Sequence, residues 1–159
     1  MRVRDLFSKD IFRPINGVVK ADQVDESTVW QELDEFVVTR ELDGHIRKFF
    51  GSYIEGIDNP KNVDISGKIG VWVSGFFGSG KSHFIKILSY VLRNQAHKHG
   101  GESKKAVEFF KEKIRDELVF TDIKKAVDSH TDVILFNIDS RADTRAGREA
   151  ILSVFLKVL

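Results

Sequence analysis

The sequence predicts an α/β fold in which a short strand feeds a glycine-rich loop and the loop feeds a helix, and three observations predict it. Ile69-Gly70-Val71-Trp72-Val73-Ser74 reads as a short buried strand. Gly75-Phe76-Phe77-Gly78-Ser79-Gly80-Lys81-Ser82 follows it and matches the phosphate-loop pattern G-x-x-x-x-G-K-[ST]. From His83 to Asn94, Phe84, Ile87, Leu88, Val91 and Leu92 then recur at helical spacing. This is the element order of a P-loop NTPase. Its glycines let successive backbone N–H groups turn inward toward a phosphate chain, and the new helix adds its positive end. Lys81 would reach the β- and γ-phosphates, and the Ser82 hydroxyl would ligate Mg²⁺. The competing reading is a glycine-rich turn that binds nothing.

Composition narrows the remaining choices. At 159 residues and 42% apolar content the chain is one domain's worth with material for a core. It has no cysteine, so disulfides and thiolate metal sites are excluded, which fits a cytoplasmic protein. No segment has the length of a membrane span, and the first residues have no secretory apolar run. With 25 basic and 24 acidic residues interleaved, the formal charge of +1 gives no general electrostatic case for nucleic-acid binding, leaving only a local DNA contact open.

Residues 1–60 are expected to form an N-terminal extended and helical segment, and 61–159 the start of the nucleotide-binding core. Leu6, Phe7, Ile11 and Phe12 suit a short helical turn, which Pro14 ends. Asp25 or Ser27 caps a helix with Val29, Leu33, Phe36 and Val37 on one face. Thr39 restarts the pattern, and Leu42, Ile46, Phe49, Phe50 and Tyr53 mark a second amphipathic helix from Glu41 to Tyr53. A loop from Gly56 to Gly67 holds Pro60 and a short strand at 63–65, with Gly67-Lys68 closing a hairpin into the P-loop strand. After the P-loop helix, residues 97–102 are polar and glycine-bearing and read as an exposed loop, and His97 and His99, with no third ligand nearby in sequence, do not read as a metal site. Lys104 to Leu118 reads as a helix through Ala106, Phe109, Phe110 and Ile114, and Thr121 caps a shorter one ending near Ser129.

The segment from Thr131 to Ser140 is the second clear buried strand, and Asp139 ends it. Two readings stay open. Either Asp139 is the Walker B magnesium ligand, or this is the next strand with Walker B still to come. Ser140 stands where a hydrolytic glutamate would be, so the water-activating base is absent on either reading and no catalytic residue is assigned. Thr144 to Leu159 closes the sequence as a helix bearing Ala146, Ala150, Ile151, Phe155 and Val158.

Asp5-Leu6-Phe7, Arg13-Pro14-Ile15-Asn16-Gly17-Val18-Val19, Val37-Val38-Thr39 and the run from Val71 through Ser82-His83-Phe84 together resemble the N-terminus of the BrxC family. These are large P-loop proteins of bacterial bacteriophage-exclusion (BREX) systems, similar to PglY of phage-growth-limitation systems. The resemblance runs along essentially the whole chain but covers only the start of much longer family members. It implies an AAA+-like ATPase supporting antiviral defence, with ATP and Mg²⁺ as cofactors and other BREX proteins as partners. It also implies a strand order of 5-1-4-3-2, in which the two strands read here are not neighbours and Walker B lies further on. On that basis the chain is an N-terminal part that binds nucleotide but does not hydrolyse it well. The segment ahead of the P-loop strand passes over the adenine in such proteins, which makes Ile15, Gly17 and Val18 candidate adenine contacts against a plain structural turn. Arg13 would serve either structure or a neighbouring subunit.

Three functions are compatible with these residues: a defence ATPase, a nucleotide-binding scaffold that assembles partners without productive hydrolysis, and a phosphotransferase, for which no substrate lid or acid is visible. Self-association is also expected. A parallel sheet needs cover on both faces and neighbours for its strands, and apolar faces bearing Phe49, Phe110, Ile151 and Phe155 must be buried somewhere.

Overall fold

The computed structural model describes residues 2–13, 15, 25–67, 70–129, 131–137 and 156. Among these, five helices and one hairpin build a helical core. Helix α1, Glu26–Glu35, begins at Asp25, whose carboxylate accepts from the Thr28 amide. Helix α2, Arg40–Asp58, begins at Thr39, whose hydroxyl accepts from the Leu42 amide. It runs through Gly44 and Gly51 unbroken and well past Tyr53. The one-turn helix α3 is Val63–Ser66, where the sequence suggested a strand; Asn62 caps it through the Asp64 amide. Helix α4, Lys81–Arg93, leaves the glycine loop as expected.

Beyond α4 the structure departs from the sequence reading. Ala96–His99 (β1) and Glu102–Lys105 (β2) pair antiparallel, with His99 opposite Glu102. Gly100 and Gly101 form the two-residue connection at φ 56° and 88°, the left-handed pair that such a tight hairpin requires. The helix expected from Lys104 to Leu118 is therefore absent. Its first residues belong to β2, a 3-10 turn follows at Ala106–Phe110, and the next helix, α5, spans Glu117–Asp128 with Asp116 rather than Thr121 as its cap. Ala106, Phe109, Phe110 and Ile114 are all buried as expected, because 3-10 and α spacing put such residues on one side alike.

The core lies where α1, α2, α4 and α5 meet, around Leu33, Ile46, Phe50, Ile87, Val91 and Ile123. Phe49, expected to lie on an apolar face needing cover, is half-buried against it. The C-terminus of α1 is closed by a side chain 80 positions away: the Lys113 ammonium donates to the carbonyls of Leu33, Asp34 and Phe36 at 2.7, 2.8 and 2.9 Å. A cation placed on the last carbonyls of a helix satisfies groups that have no intrahelical partner. The N-terminal segment docks on the same end, Lys9 pairing with Asp34 and Arg13 with Glu35. Arg13 thus serves structure within the chain, and its guanidinium holds Glu35 below the usual carboxylate range.

Hydrogen bonds from Thr28 and Ser27 lower the Asp25 pKa from the ordinary 3.8 to about 2. A carboxylate depressed on folding adds stability above its unfolded pKa, and that contribution is lost as the pH falls through the folded value. Asp25→Asn keeps a capping oxygen but no charge, so wild type should exceed it in stability at neutral pH. The gap should close between about pH 4 and pH 2. Thermal melts of both proteins across that range are the check, and a gap that does not change with pH would contradict this assignment.

The segments read as buried strands differ from expectation. Gly70–Phe76 and 131–137 belong to no strand, and Trp72 is 90% exposed. Among the described residues neither segment pairs with a strand in a sheet. They flank an apolar cleft of about 260 Å³ that includes Val71, Val73, Leu88, Leu92, Val133 and Leu135. Arg93, at the end of α4, donates from Nε and Nη2 to the Val133 carbonyl at 3.2 and 2.8 Å. The expected helix over 144–159 lies outside the described residues except for Leu156, which is helical and exposed.

Candidate phosphate-binding site

The site begins with the glycines. Gly78 and Gly80 take φ of 78° and 83°, a left-handed conformation that residues with a Cβ adopt only at a cost. The two inversions fold the loop back so that Gly80 becomes the N-cap of α4, and no side chain caps that end. The Ser79 amide closes the turn on the Phe76 carbonyl at 3.2 Å. Gly75 is needed for a different reason: a Cβ there would lie 2.8 Å from Ser79 Oγ and 3.7 Å from Lys81 Cδ. A side chain at this position would force Ser79 to shift.

Lys81 reaches back across this loop, its ammonium donating to the Gly75 and Phe76 carbonyls at 2.9 and 2.7 Å. The charge stands over the concave side of the loop, at the positive end of a 13-residue helix. Ser82, the next residue, is exposed in the first turn. Its hydroxyl suits one position in a Mg²⁺ shell completed by phosphate oxygens and water, the usual arrangement for this ion. Among the described residues no group of three or more His, Asp or Glu side chains could hold a metal by itself.

His83, counted among the candidate nucleotide contacts, stands in the first turn of α4. Its ring turns inward and meets Phe36 edge-on at 5.4 Å, with Nε2 buried and without a hydrogen-bond partner. Burial pushes its pKa below the ordinary value, so the ring is neutral. Only its backbone N–H, in the open first turn of α4, remains for a phosphate. Phe76 and Phe77 point away from the core, 90% and 105% exposed. Ile15 is 74% exposed, and Gly17, Val18, Asp139 and Ser140 lie outside the described residues.

Behind the loop is a charged group that sequence reasoning missed. On α4, Lys86 is 1% exposed and donates to Glu32 Oε1 of α1 at 3.0 Å, while the Tyr90 hydroxyl donates to Oε2 at 3.1 Å. Burial, with the nearby Glu32 charge, pushes the Tyr90 phenol well above its ordinary pKa. Lys86 and Tyr90 are four residues apart on one helix face, but their acceptor is more than fifty residues away, and no local pattern announces it.

A second, polar cleft of about 550 Å³ opens at the start of α2. Four of its charged side chains are engaged: Arg47 pairs with Asp43 and Asp116, and Lys113 closes α1. No described helix is long and apolar enough to cross a membrane. No protein-family model matches the chain, and no solved structure matches it.

Proposed function

We propose that this chain is a Mg²⁺-ATP-binding P-loop module of an AAA+-like ATPase, acting in phage defence with other BREX proteins. The observation that supports it best is the loop itself. Two left-handed glycines deliver a tight backbone turn into the uncapped N-terminus of α4, with the Lys81 ammonium held over it. That combination presents backbone donors, a helix dipole and a mobile cation to one point, which suits a chain of phosphates. Lys81 would bind the β- and γ-phosphates, the amides of Gly78 and of Gly80 to His83 would surround the β-phosphate, and Ser82 would ligate the ion. The defence role rests on the resemblance to the BrxC family in the loop and in the N-terminal segment.

Calorimetric titration with Mg²⁺-ATP, Mg²⁺-ADP and AMP tests the reading. ATP and ADP should bind and AMP should not, because the loop holds the β-phosphate. Failure of all three to bind, or equal affinity for AMP, would sink the proposal. Phosphate release from this chain, alone or with partner proteins, would favour the ATPase over the scaffold.

A further inference from the structure

The first turn of α4 has to be open and fixed at once. Its amides can serve a phosphate only while nothing in the protein occupies them, and Gly80 at the N-cap has no side chain with which to satisfy one. Losing a side-chain cap shifts the equilibrium of a helix end toward fraying by roughly fivefold. A restraint from the inner side of the turn offsets this. Both His83 and Phe84 point inward: the His83 ring meets Phe36 edge-on at 5.4 Å between centroids, with Nε2 buried, and Phe84, 8% exposed, faces His45 of α2 at 6.4 Å. Phe36 is a firm anchor. Its ring is buried beside Phe110 at 6.0 Å, its amide donates to the Glu32 carbonyl at 3.1 Å, and its carbonyl accepts from Lys113 at 2.9 Å.

We propose that His83 is a positioning residue of the phosphate site: its ring, seated on Phe36, holds the open first turn of α4 in the conformation a phosphate meets, and its own amide is one of the donors. The ligand rests on the phosphate-loop reading, whereas the restraint follows from packing alone. Lys86 and Tyr90 pin α4 to α1 three and seven residues further on, so His83 carries the same row of contacts to the start of the helix. The Phe84 amide donates to the Gly80 carbonyl at 2.9 Å, a bond that opens whenever the turn does. An edge-on aromatic contact shifts a formed-to-frayed ratio by roughly two- to tenfold. A ligand that binds only the formed turn loses affinity with the formed fraction.

Three variants test it. His83→Ala removes the ring, His83→Phe keeps an aromatic edge for Phe36 without a buried nitrogen, and Ile123→Val loosens the buried core at α5, away from the loop. Exchange of the Phe84 amide is followed by NMR without nucleotide, and Mg²⁺-ATP affinity by calorimetry. His83→Ala should speed that exchange roughly two- to tenfold and weaken ATP by up to the same factor, with an unchanged far-ultraviolet spectrum. His83→Phe should restore both. Ile123→Val should lower the urea midpoint and move neither. Where alanine unfolds the chain, His83→Leu, which fills the space without a ring edge, takes its place. Wild-type exchange and affinity in His83→Ala overturn the proposal, and so does a loss in His83→Phe or Ile123→Val that equals the loss in His83→Ala. Absence of ATP binding by the wild type removes the phosphate-loop reading instead, and Phe84 exchange then decides by itself whether His83 holds the turn.

Discussion

Lys81→Ala is expected to abolish most nucleotide affinity while leaving the fold intact. The ammonium would exchange its two carbonyl acceptors at the loop for phosphate oxygens, and hydrogen bonds to charged groups are worth about 1.5 to 3 kcal/mol each, so Mg²⁺-ATP affinity should drop about tenfold or more. The fold should survive because Lys81 bonds only to Gly75 and Phe76, outside the core. Calorimetry for affinity and urea unfolding for stability separate the two effects. An unchanged ATP affinity would remove the phosphate-loop reading, whatever the stability did. Lys81→Arg keeps the charge but presents a broader planar group, so its affinity should fall between wild type and alanine if compact geometry matters as well as charge.

Glu32→Ala should be the most damaging single change to stability. It strips the carboxylate from a buried pair and leaves the Lys86 ammonium, 1% exposed, with no counter-charge and the Tyr90 hydroxyl with no acceptor. Breaking a buried ion pair from one side costs about 3 to 5 kcal/mol, a large share of the 5 to 15 kcal/mol that holds an ordinary domain together. Removing the whole group is a different matter. Glu32→Leu, Lys86→Met and Tyr90→Phe combined should return to within about 1 to 2 kcal/mol of wild type, because no charge is then left to desolvate. Urea denaturation of the single and triple variants decides it. A Glu32→Ala protein within about 1 kcal/mol of wild type would mean that Lys86 finds water or another acceptor at little cost.

The site was legible where its information is local. Gly78, Gly80, Lys81 and Ser82 stand in one octapeptide, and the turn into α4 follows from the glycines' freedom at positive φ. Asp25 could likewise be read as a cap, since it acts on an amide three residues ahead. The hairpin was not legible because its strands, Ala-His-Lys-His and Glu-Ser-Lys-Lys, are polar on both faces and carry no alternation. Only Gly100-Gly101 announced it. The spacing of Ala106, Phe109, Phe110 and Ile114 then fitted an α-helix as well as the 3-10 turn that forms, so periodicity did not decide between them. Val71-Trp72-Val73 lies in no strand among the described residues, because apolar content reveals a strand's appetite for neighbours and not which segment supplies them. The Glu32–Lys86 pair needed two helices brought together, information that no window of sequence contains.

Helix α4 runs from Lys81 to Arg93 with neither glycine nor proline inside it, a rod of about 20 Å at the usual rise per residue. Its first turn meets the phosphate loop, its middle is pinned to α1 through Lys86 and Tyr90, and its last turn grips the Val133 carbonyl. Pinned near its middle and free of any internal joint, it joins the phosphate loop to the 131–137 segment as one continuous rod.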